Sequence, residues 1–423
     1  MIRSQFESTE HMLTCRFCSQ PLRHSVVDLG MSPLCQTHID AADLERMEPY
    51  YPLHAYVCQS CFLVQLAQYV APRELFREYA YFSSFSDSWV EHAREYCELA
   101  CARFGIGPDS LIMEVASNDG YLLQHFVARG LRVLGIEPAE NVAAAARARG
   151  VPTISRFLGL QTARDLAAEF GQPDLLIGNN VLAHVPDLND FVAGLEVLLR
   201  PGGLLTLEFP HVLELLRQNQ FDTIYHEHFS YFSFGTALKV LARHGLEVCD
   251  VQTLPTHGGS LRVYARHAGE CAAGLNARGG ELLELERREG LAELDTYARF
   301  EERVRETKRA LLAFLIAAKR AGKKVVGYGA PGKGNTLLNY CGIGRDFLDF
   351  TVDRNPHKQG KYTPGMRIPI RHPDALLEAR PDYILILPWN LKEEILASVG
   401  RTPGLKARFV VPIPRVEVLE PRA

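Results

Sequence analysis

No stretch of this sequence approaches eighteen uninterrupted apolar residues, so it offers no membrane-spanning helix. The start, MIRSQFESTEHML, lacks an apolar run long enough for a signal peptide, and a cytoplasmic location is expected by default. Charge of neither sign dominates. A net charge of −4 gives no global attraction to nucleic acid or to an anionic membrane, so neither is expected as a partner and an anionic ligand must be met locally. Hydrophobic content of 47% and charged content of 23% leave no case for disorder. At 423 residues the chain should divide into roughly two to four domains. One familiar motif is also missing. YHEHFSYFS at 225–233 pairs His226 with Glu227 and His228, but a zinc-protease motif needs a second His four residues after His226, and position 230 is Ser. That leaves proton-transfer chemistry or packing for this segment.

Cysteine is present in ten copies, too unevenly placed for a disulfide framework in a reducing compartment. Cys97, Cys101, Cys249, Cys271 and Cys341 are scattered and are expected in core positions. Cys15-Arg-Phe-Cys18 and Cys58-Gln-Ser-Cys61 are two CxxC pairs, separated by a loop that holds Pro33, Cys35 and His38. Two such knuckles complete a closed four-thiolate zinc site, whereas a redox CxxC would follow a βαβ pattern that is absent here. With no open coordination position, such a zinc ion stabilises a small domain and performs no chemistry.

In the middle of the chain, LIMEVAS (111–117) reads as a buried strand and Asn118-Asp119-Gly120 as a tight turn opening the amphipathic segment YLLQHFVARG. RVLGIEP is a second strand ending in Glu137, and NVAAAARARG a further helix. This is a βαβ unit with an acid about twenty residues beyond its first turn, where ribose hydroxyls are bound. An NAD enzyme would carry GxGxxG at that turn. Only Gly120 is there, which disfavours NAD at this position. PDLLIGNNVLAHVPD follows as a strand ending at Asn179 and Asn180 with His184 beyond it, and LRPGGLLTLEFP as a turn and another strand.

That series of motifs resembles class I S-adenosylmethionine-dependent methyltransferases. The resemblance implies that Glu114 and Gly120 flank the methionine end of the cofactor, that Glu137 holds its ribose, and that Ser117, Asn118, Asn179 and Asn180 also bind it. With the double CxxC, EVASNDGYLL, VLAHVPD and YHEHFSYFS in order, the chain further resembles the nucleotide-sugar C-methyltransferases, three-domain enzymes that methylate C-3 of a dTDP-linked keto-deoxysugar. In such chemistry a base must remove a proton from the carbon beside a ketone. The resemblance makes His228 that base, with Glu227 and Tyr225 orienting or sharing the proton, and brings Tyr79, Tyr81 and His184 to the same sugar.

The C-terminal part opens with a long amphipathic helix over 297–320, rich in Arg, Glu, Ala and Leu. KKVVGYGAPGKGNTLLNYCGI then reads as strand, glycine-rich turn and helix, and Gly327, Gly329 and Gly332 satisfy GxGxxG literally. Asp353 ends a later strand. Backbone donors at that helix start, with Lys333, Gly334 and Asn335, make GAPGKGN a candidate diphosphate site, and Asp353 and Trp389 candidate nucleoside contacts. The expected architecture is therefore α/β: a zinc-knuckle domain over 12–75, a class I methyltransferase Rossmann-like domain over 76–275 and a second Rossmann-like domain over 276–415. Two other readings compete. An NAD-dependent oxidoreductase using GYGAPG leaves the methyltransferase series unexplained, and a non-catalytic zinc-containing assembly protein leaves YHEHFSY unexplained.

Overall fold

The structure, a computed structural model, describes residues 13–75, 79, 82–400 and 402–420. Three sheets account for the strands among them. The first is antiparallel, with His24–Ser32, Tyr51–Val57, Val64–Leu66 and Ser230–Tyr231 in that order. Its fourth strand comes from the YHEHFSY segment, about 165 residues beyond the third.

The second sheet has seven strands. From one edge it runs Thr153–Ile154, Arg132–Ile136, Leu111–Val115, Leu175–Asn179, Leu204–Pro210, Ser260–His267 and Leu246–Leu254, parallel until Ser260–His267 enters antiparallel. Leu111–Val115 and Leu175–Asn179 are buried throughout, as strands covered on both faces must be. The order reverses at Leu111–Val115, so the crevice beyond that strand's carboxyl end is where a ligand of an open α/β sheet belongs. The third sheet is parallel from Ile370–Arg371 through Thr351–Val352, Val325–Tyr328, Tyr383–Ile386 and Arg408–Val411, with Glu417–Leu419 antiparallel at its edge.

The expected long helix is present as Leu294–Ala298 followed by Phe300–Arg320. Its buried residues, Phe300, Val304, Thr307, Leu311, Leu315 and Ala318, recur every three or four positions and form one apolar stripe. By contrast the helix after the Asn118-Asp119-Gly120 turn is short, covering only Leu123–Val127. Among the described residues no helix is long and apolar enough to cross a membrane.

Two of the scattered cysteines correct the sequence reading. Cys249 and Cys271 form a disulfide, with Cα atoms 5.5 Å apart. Their separation of 22 residues hid the pairing: the hairpin of Leu246–Leu254 and Ser260–His267 folds one back beside the other, and Cys249 lies where the register shifts between Val248 and Asp250. Cys97 and Cys341 are buried as expected, and Cys101 is half-buried.

The CxxC pairs do converge. All four sulfur atoms lie within 4.8 Å of one another, with Cys15 to Cys61 at 3.5 Å, Cys18 to Cys58 at 3.4 Å and Cys18 to Cys61 at 3.7 Å. Tetrahedral zinc with Zn–S bonds of about 2.3 Å needs sulfur atoms about 3.8 Å apart, so the residues fit that ion. Buried Gln65 donates to the Cys15 sulfur at 3.2 Å while accepting from the Arg16 amide at 2.9 Å, which supports the ligand set from behind. Elemental analysis should return one zinc per chain, and Cys15→Ser should lower the Tm seen by scanning calorimetry. A stoichiometric iron–sulfur chromophore, or metal-free protein of parent stability, overturns the assignment.

Candidate active site

One cavity of about 550 Å³ lies where the three sheets approach one another, ample for a cofactor-sized ligand. Its first half is the turn after Leu111–Val115. Ala116, Asn118 and Gly120 have φ of 56°, 50° and 78°, an alternation of left-handed residues that glycines usually provide. Alanine adopts it at a cost of about 1–2 kcal/mol. Asn118 tolerates it better, and its side-chain oxygen accepts from the Ser83 amide at 2.9 Å. Gly120 has an additional reason to be glycine: a Cβ there would lie 2.9 Å from Val151.

Glu137, at the end of Arg132–Ile136, lines the cavity. Its carboxyl accepts from the Asn118 amide at 3.0 Å and the Ala139 amide at 2.9 Å. Burial nevertheless pushes it up to about 7, outweighing those two bonds. Glu114 is fully buried, and burial together with Glu137 and Asp119 holds its carboxyl well above the usual range. Neither Glu114 oxygen, nor the side-chain oxygen of Asn179 or Asn180, has a partner among the described residues. Asn118, Asn179 and Asn180 line the cavity, whereas Glu114, Ser117 and Gly120 sit behind its wall. A ligand carrying vicinal hydroxyls and an ammonium group fits the acceptors that line the cavity, those of Glu137, Asn179 and Asn180, so the residues present suit S-adenosylmethionine.

The second half is built from the segments around His184 and His228. The Phe229 amide donates to Ala183 O at 2.7 Å, and the His184 ring donates to the Glu227 carbonyl, so the two segments are stitched together. His228 donates from Nδ1 to Thr223 O at 2.9 Å. That bond fixes the tautomer and leaves Nε2 with its lone pair. The His228 ring lies 4.0 Å from the Tyr225 ring and 4.6 Å, edge-on, from that of His184. Burial, with His184 beside it, lowers the proton affinity of His228 well below the ordinary value, and burial lowers His184 to about 4. Both imidazoles are neutral at pH 7. Tyr225, His228 and His184 all line the cavity.

Glu227 turns away from it. Its carboxyl accepts from Cys35 Sγ at 3.5 Å and from the Tyr79 hydroxyl at 3.3 Å, and burial raises it to about 7. Tyr79 itself reaches the cavity; Tyr81 lies outside the described residues. His226 donates to Pro52 O at 3.2 Å and meets the Tyr51 ring edge-on, so it serves the first sheet.

The C-terminal turn departs from expectation. Of GAPGKGN, Pro331, Gly332 and Lys333 reach the cavity, while Gly329, Gly334 and Asn335 do not. A Cβ on Gly329 would meet Pro388 at 2.6 Å and one on Gly334 would meet Leu387 at 2.8 Å: these glycines permit close packing within the domain. Asn335 is buried. Cys35, from the loop between the CxxC pairs, would lie 3.0 Å from a Cβ on Gly332, so the crevice of the GxGxxG turn is filled by the protein itself. Asp353 accepts from the amides of Ala330 at 2.7 Å and Asn355 at 2.8 Å and is committed to its own loop. Trp389 donates from Nε1 to buried Asp222 at 2.7 Å, tying the turn Phe221–Thr223 to the segment after Tyr383–Ile386, and Lys333 sits 4.8 Å over its ring. Asp353 and Trp389, the candidate nucleoside contacts of the sequence, are thus both engaged by groups of the protein itself. Lys333 is left at the cavity, bonded to Asn390 at 2.8 Å. His257 also lines the cavity, and only the turn-forming THGG of the sequence hinted at it.

Three family descriptions match consecutive parts of the chain: a zinc binding domain over residues 15–76, a methyltransferase domain over 89–251, and a C-methyltransferase C-terminal domain over 255–414. The C-methyltransferase NovU of Streptomyces niveus is 39% identical over 410 residues, covering 96% of each chain. A ubiquinone biosynthesis O-methyltransferase of Rhizobium rhizogenes is 30% identical over 117 residues, 25% of this chain and 46% of that one. The magnesium protoporphyrin IX methyltransferase of Synechocystis PCC 6803, solved with bound S-adenosylmethionine, covers 48% of this chain and 100% of its own at 16% identity and a TM-score of 0.36. Matched to NovU from end to end, and with its methyltransferase segment flanked by those two further domains, the chain belongs to the zinc-containing, S-adenosylmethionine-dependent C-methyltransferases.

Proposed function

We propose that this C-methyltransferase methylates C-3 of a nucleotide-linked keto-deoxysugar, with a dTDP-sugar as the first candidate, through an enolate. The domains carrying this are 12–75 for zinc, 76–275 for the methyl donor and 276–415 for the far wall of the acceptor cleft. The observation that carries the reading is His228: a neutral imidazole whose Nδ1 proton is engaged by Thr223 O and whose Nε2 lone pair is left over at the cavity. Carbon is a poor nucleophile until a proton α to a carbonyl is removed, and a correctly placed neutral base is what that step requires.

S-adenosylmethionine, held at Glu137, Asn118 and the Asn179-Asn180 strand end, supplies an electrophilic methyl group. His228 Nε2 takes the proton from the carbon beside the ketone, and the electron pair of that C–H bond moves to the ketone oxygen. The enolate carbon would then bond to the methyl group as the methyl–sulfur bond breaks, its electron pair staying on sulfur to leave S-adenosylhomocysteine, while the ketone is restored and the proton stays on His228. Tyr225, whose ring lies 4.0 Å from that of His228, keeps the imidazole in place. Glu227 acts through Tyr79, whose hydroxyl it holds. Lys333 offers positive charge to the diphosphate.

Mass analysis after incubation with S-adenosylmethionine and a panel of dTDP- and other nucleotide-linked keto-sugars should find one added methyl group, placed on carbon by NMR. Methylation on oxygen, or none with any keto-sugar, overturns the proposal. His228→Asn should slow turnover by about 10²–10⁴ while both ligands still bind. Glu227→Gln is the comparison: if α-proton exchange with solvent deuterium vanishes there and persists in His228→Asn, the base is Glu227.

The ribose assignment has its own signature. Glu137 must be ionised to accept strongly from two hydroxyls, and its carboxyl titrates at about 7 without ligand. Donor affinity should therefore fall as pH drops through 7, with protons released on binding at pH 6. Glu137→Ala should cost about 1.5–3 kcal/mol of affinity and abolish that pH dependence. Calorimetry in buffers of different ionisation enthalpy reads both effects, and unchanged binding would move the ribose elsewhere.

A further inference from the structure

His257 sits at the tip of the hairpin joining Leu246–Leu254 to Ser260–His267, with φ 54° and ψ 16°, in the left-handed region. Strain of this kind persists only where the surroundings over-determine it, and here they do. The Thr256 hydroxyl donates to Glu208 at 2.9 Å, and Glu208 is itself buried and clamped by Arg262 at 2.6 Å. Gly258 O accepts from Gln220 at 2.7 Å, and a Cβ on Gly258 would collide with both Gln220 and Trp389 at 2.7 Å. A Cβ on Gly259 would lie 2.6 Å from Glu214. The chain before and after His257 is fixed from three directions, and the imidazole between is held at the cavity wall.

What is held there is not satisfied by the protein. Neither ring nitrogen of His257 hydrogen-bonds another described residue; the ring lies 4.9 Å from that of Trp89, tilted by 58°. Packing against Trp89 could be done by an apolar side chain, and the turn could be made by Asn without an imidazole. A strained backbone that presents an unpartnered donor to a cavity is the arrangement of a ligand contact. Burial, with Lys333 nearby, lowers the ring to about 4, so at pH 7 it is a neutral imidazole, able to donate one N–H without the cost of a buried charge.

We propose that His257 is a further catalytic residue, whose ring N–H donates a hydrogen bond to the carbonyl oxygen of the acceptor as that oxygen becomes an enolate. The proposal rests on the keto-acceptor reading above. It divides the proton chemistry between two neutral imidazoles: His228 removes the proton from carbon, and His257 stabilises the negative charge left on oxygen, with no net proton transfer to it. Fixed donors aimed at a developing oxyanion typically contribute about 10²–10³ in rate.

The test is exchange of the acceptor's α-proton with solvent deuterium, followed by NMR on the whole chain with S-adenosylhomocysteine bound. Two substitutions suit the left-handed backbone: His257→Gly, which removes the donor, and His257→Asn, which keeps an N–H at the tip. His257→Gly should slow exchange by about 10²–10³ with S-adenosylmethionine affinity unchanged, and His257→Asn should retain a larger share of the rate. Exchange at the parent rate in His257→Gly overturns the proposal, as does loss of exchange and donor binding together, which would make the residue structural. Absence of exchange in the parent protein is a different failure: it removes the enolate reading itself, and this proposal with it.

Discussion

Two backbone pairs, Val64 with Tyr231 and Gln65 with Ser230, fix the segment that brings His228 to the cavity. A strand added to a sheet takes its register from the hydrogen bonds, and a slip by one residue would turn every side chain to the other face. The segment that carries His228 is therefore aimed by the zinc-binding part of the chain. Arg16, inside the first CxxC, extends the same control: its guanidinium donates to Leu66 O and, at 3.1 Å, to Pro186 O, two residues beyond His184, and it lies 5.4 Å over the Phe229 ring. Metal, third strand and both histidine segments form one connected unit. The four cysteines lie outside the cavity lining, and the fold around them still orients the two histidine segments that reach it.

Burial of the titratable groups in and around the cavity governs its electrostatics. Desolvation is the largest cause acting on Glu114, Glu137, Glu227 and the three cavity histidines, and in each of these it favours the neutral form. Glu208 is the contrast. It is equally buried, but His92 and Arg262 pull it down to about 2, so it stays charged and anchors the hairpin tip. The protein thus holds one paired charge for rigidity, while burial favours the neutral form of the other carboxyls and imidazoles in and around the cavity.

Much of this was legible from local signals. Two CxxC pairs require little context because four thiolates around one ion is a strong constraint. Strand and turn order in the middle domain could be read from apolar runs and from Glu137, since burial on both faces leaves so few alternatives. Glycine counting was a weaker guide. At the turn after Leu111–Val115, Ala116 and Asn118 keep left-handed backbone without glycine, whereas at the C-terminal turn the glycines are present and serve packing. The Cys249–Cys271 bridge, the Trp389–Asp222 bond and His257 depend on contacts between segments far apart in sequence, and no local pattern encodes those.

The strand Ser230–Tyr231 has a further consequence for how such a chain can be taken apart. Its sheet partners are encoded at the beginning of the sequence, while it is itself encoded inside the methyltransferase portion. Order along the chain and order in space do not coincide. A middle portion excised by its sequence boundaries would leave with a strand that has lost its neighbours, and a zinc portion made separately would show an open edge prone to pair with whatever strand it met. Exchanging the N-terminal portion between relatives is then not the replacement of an appendage. It is the replacement of one half of a β-ladder, and the incoming half must match the register of the residues beside His228.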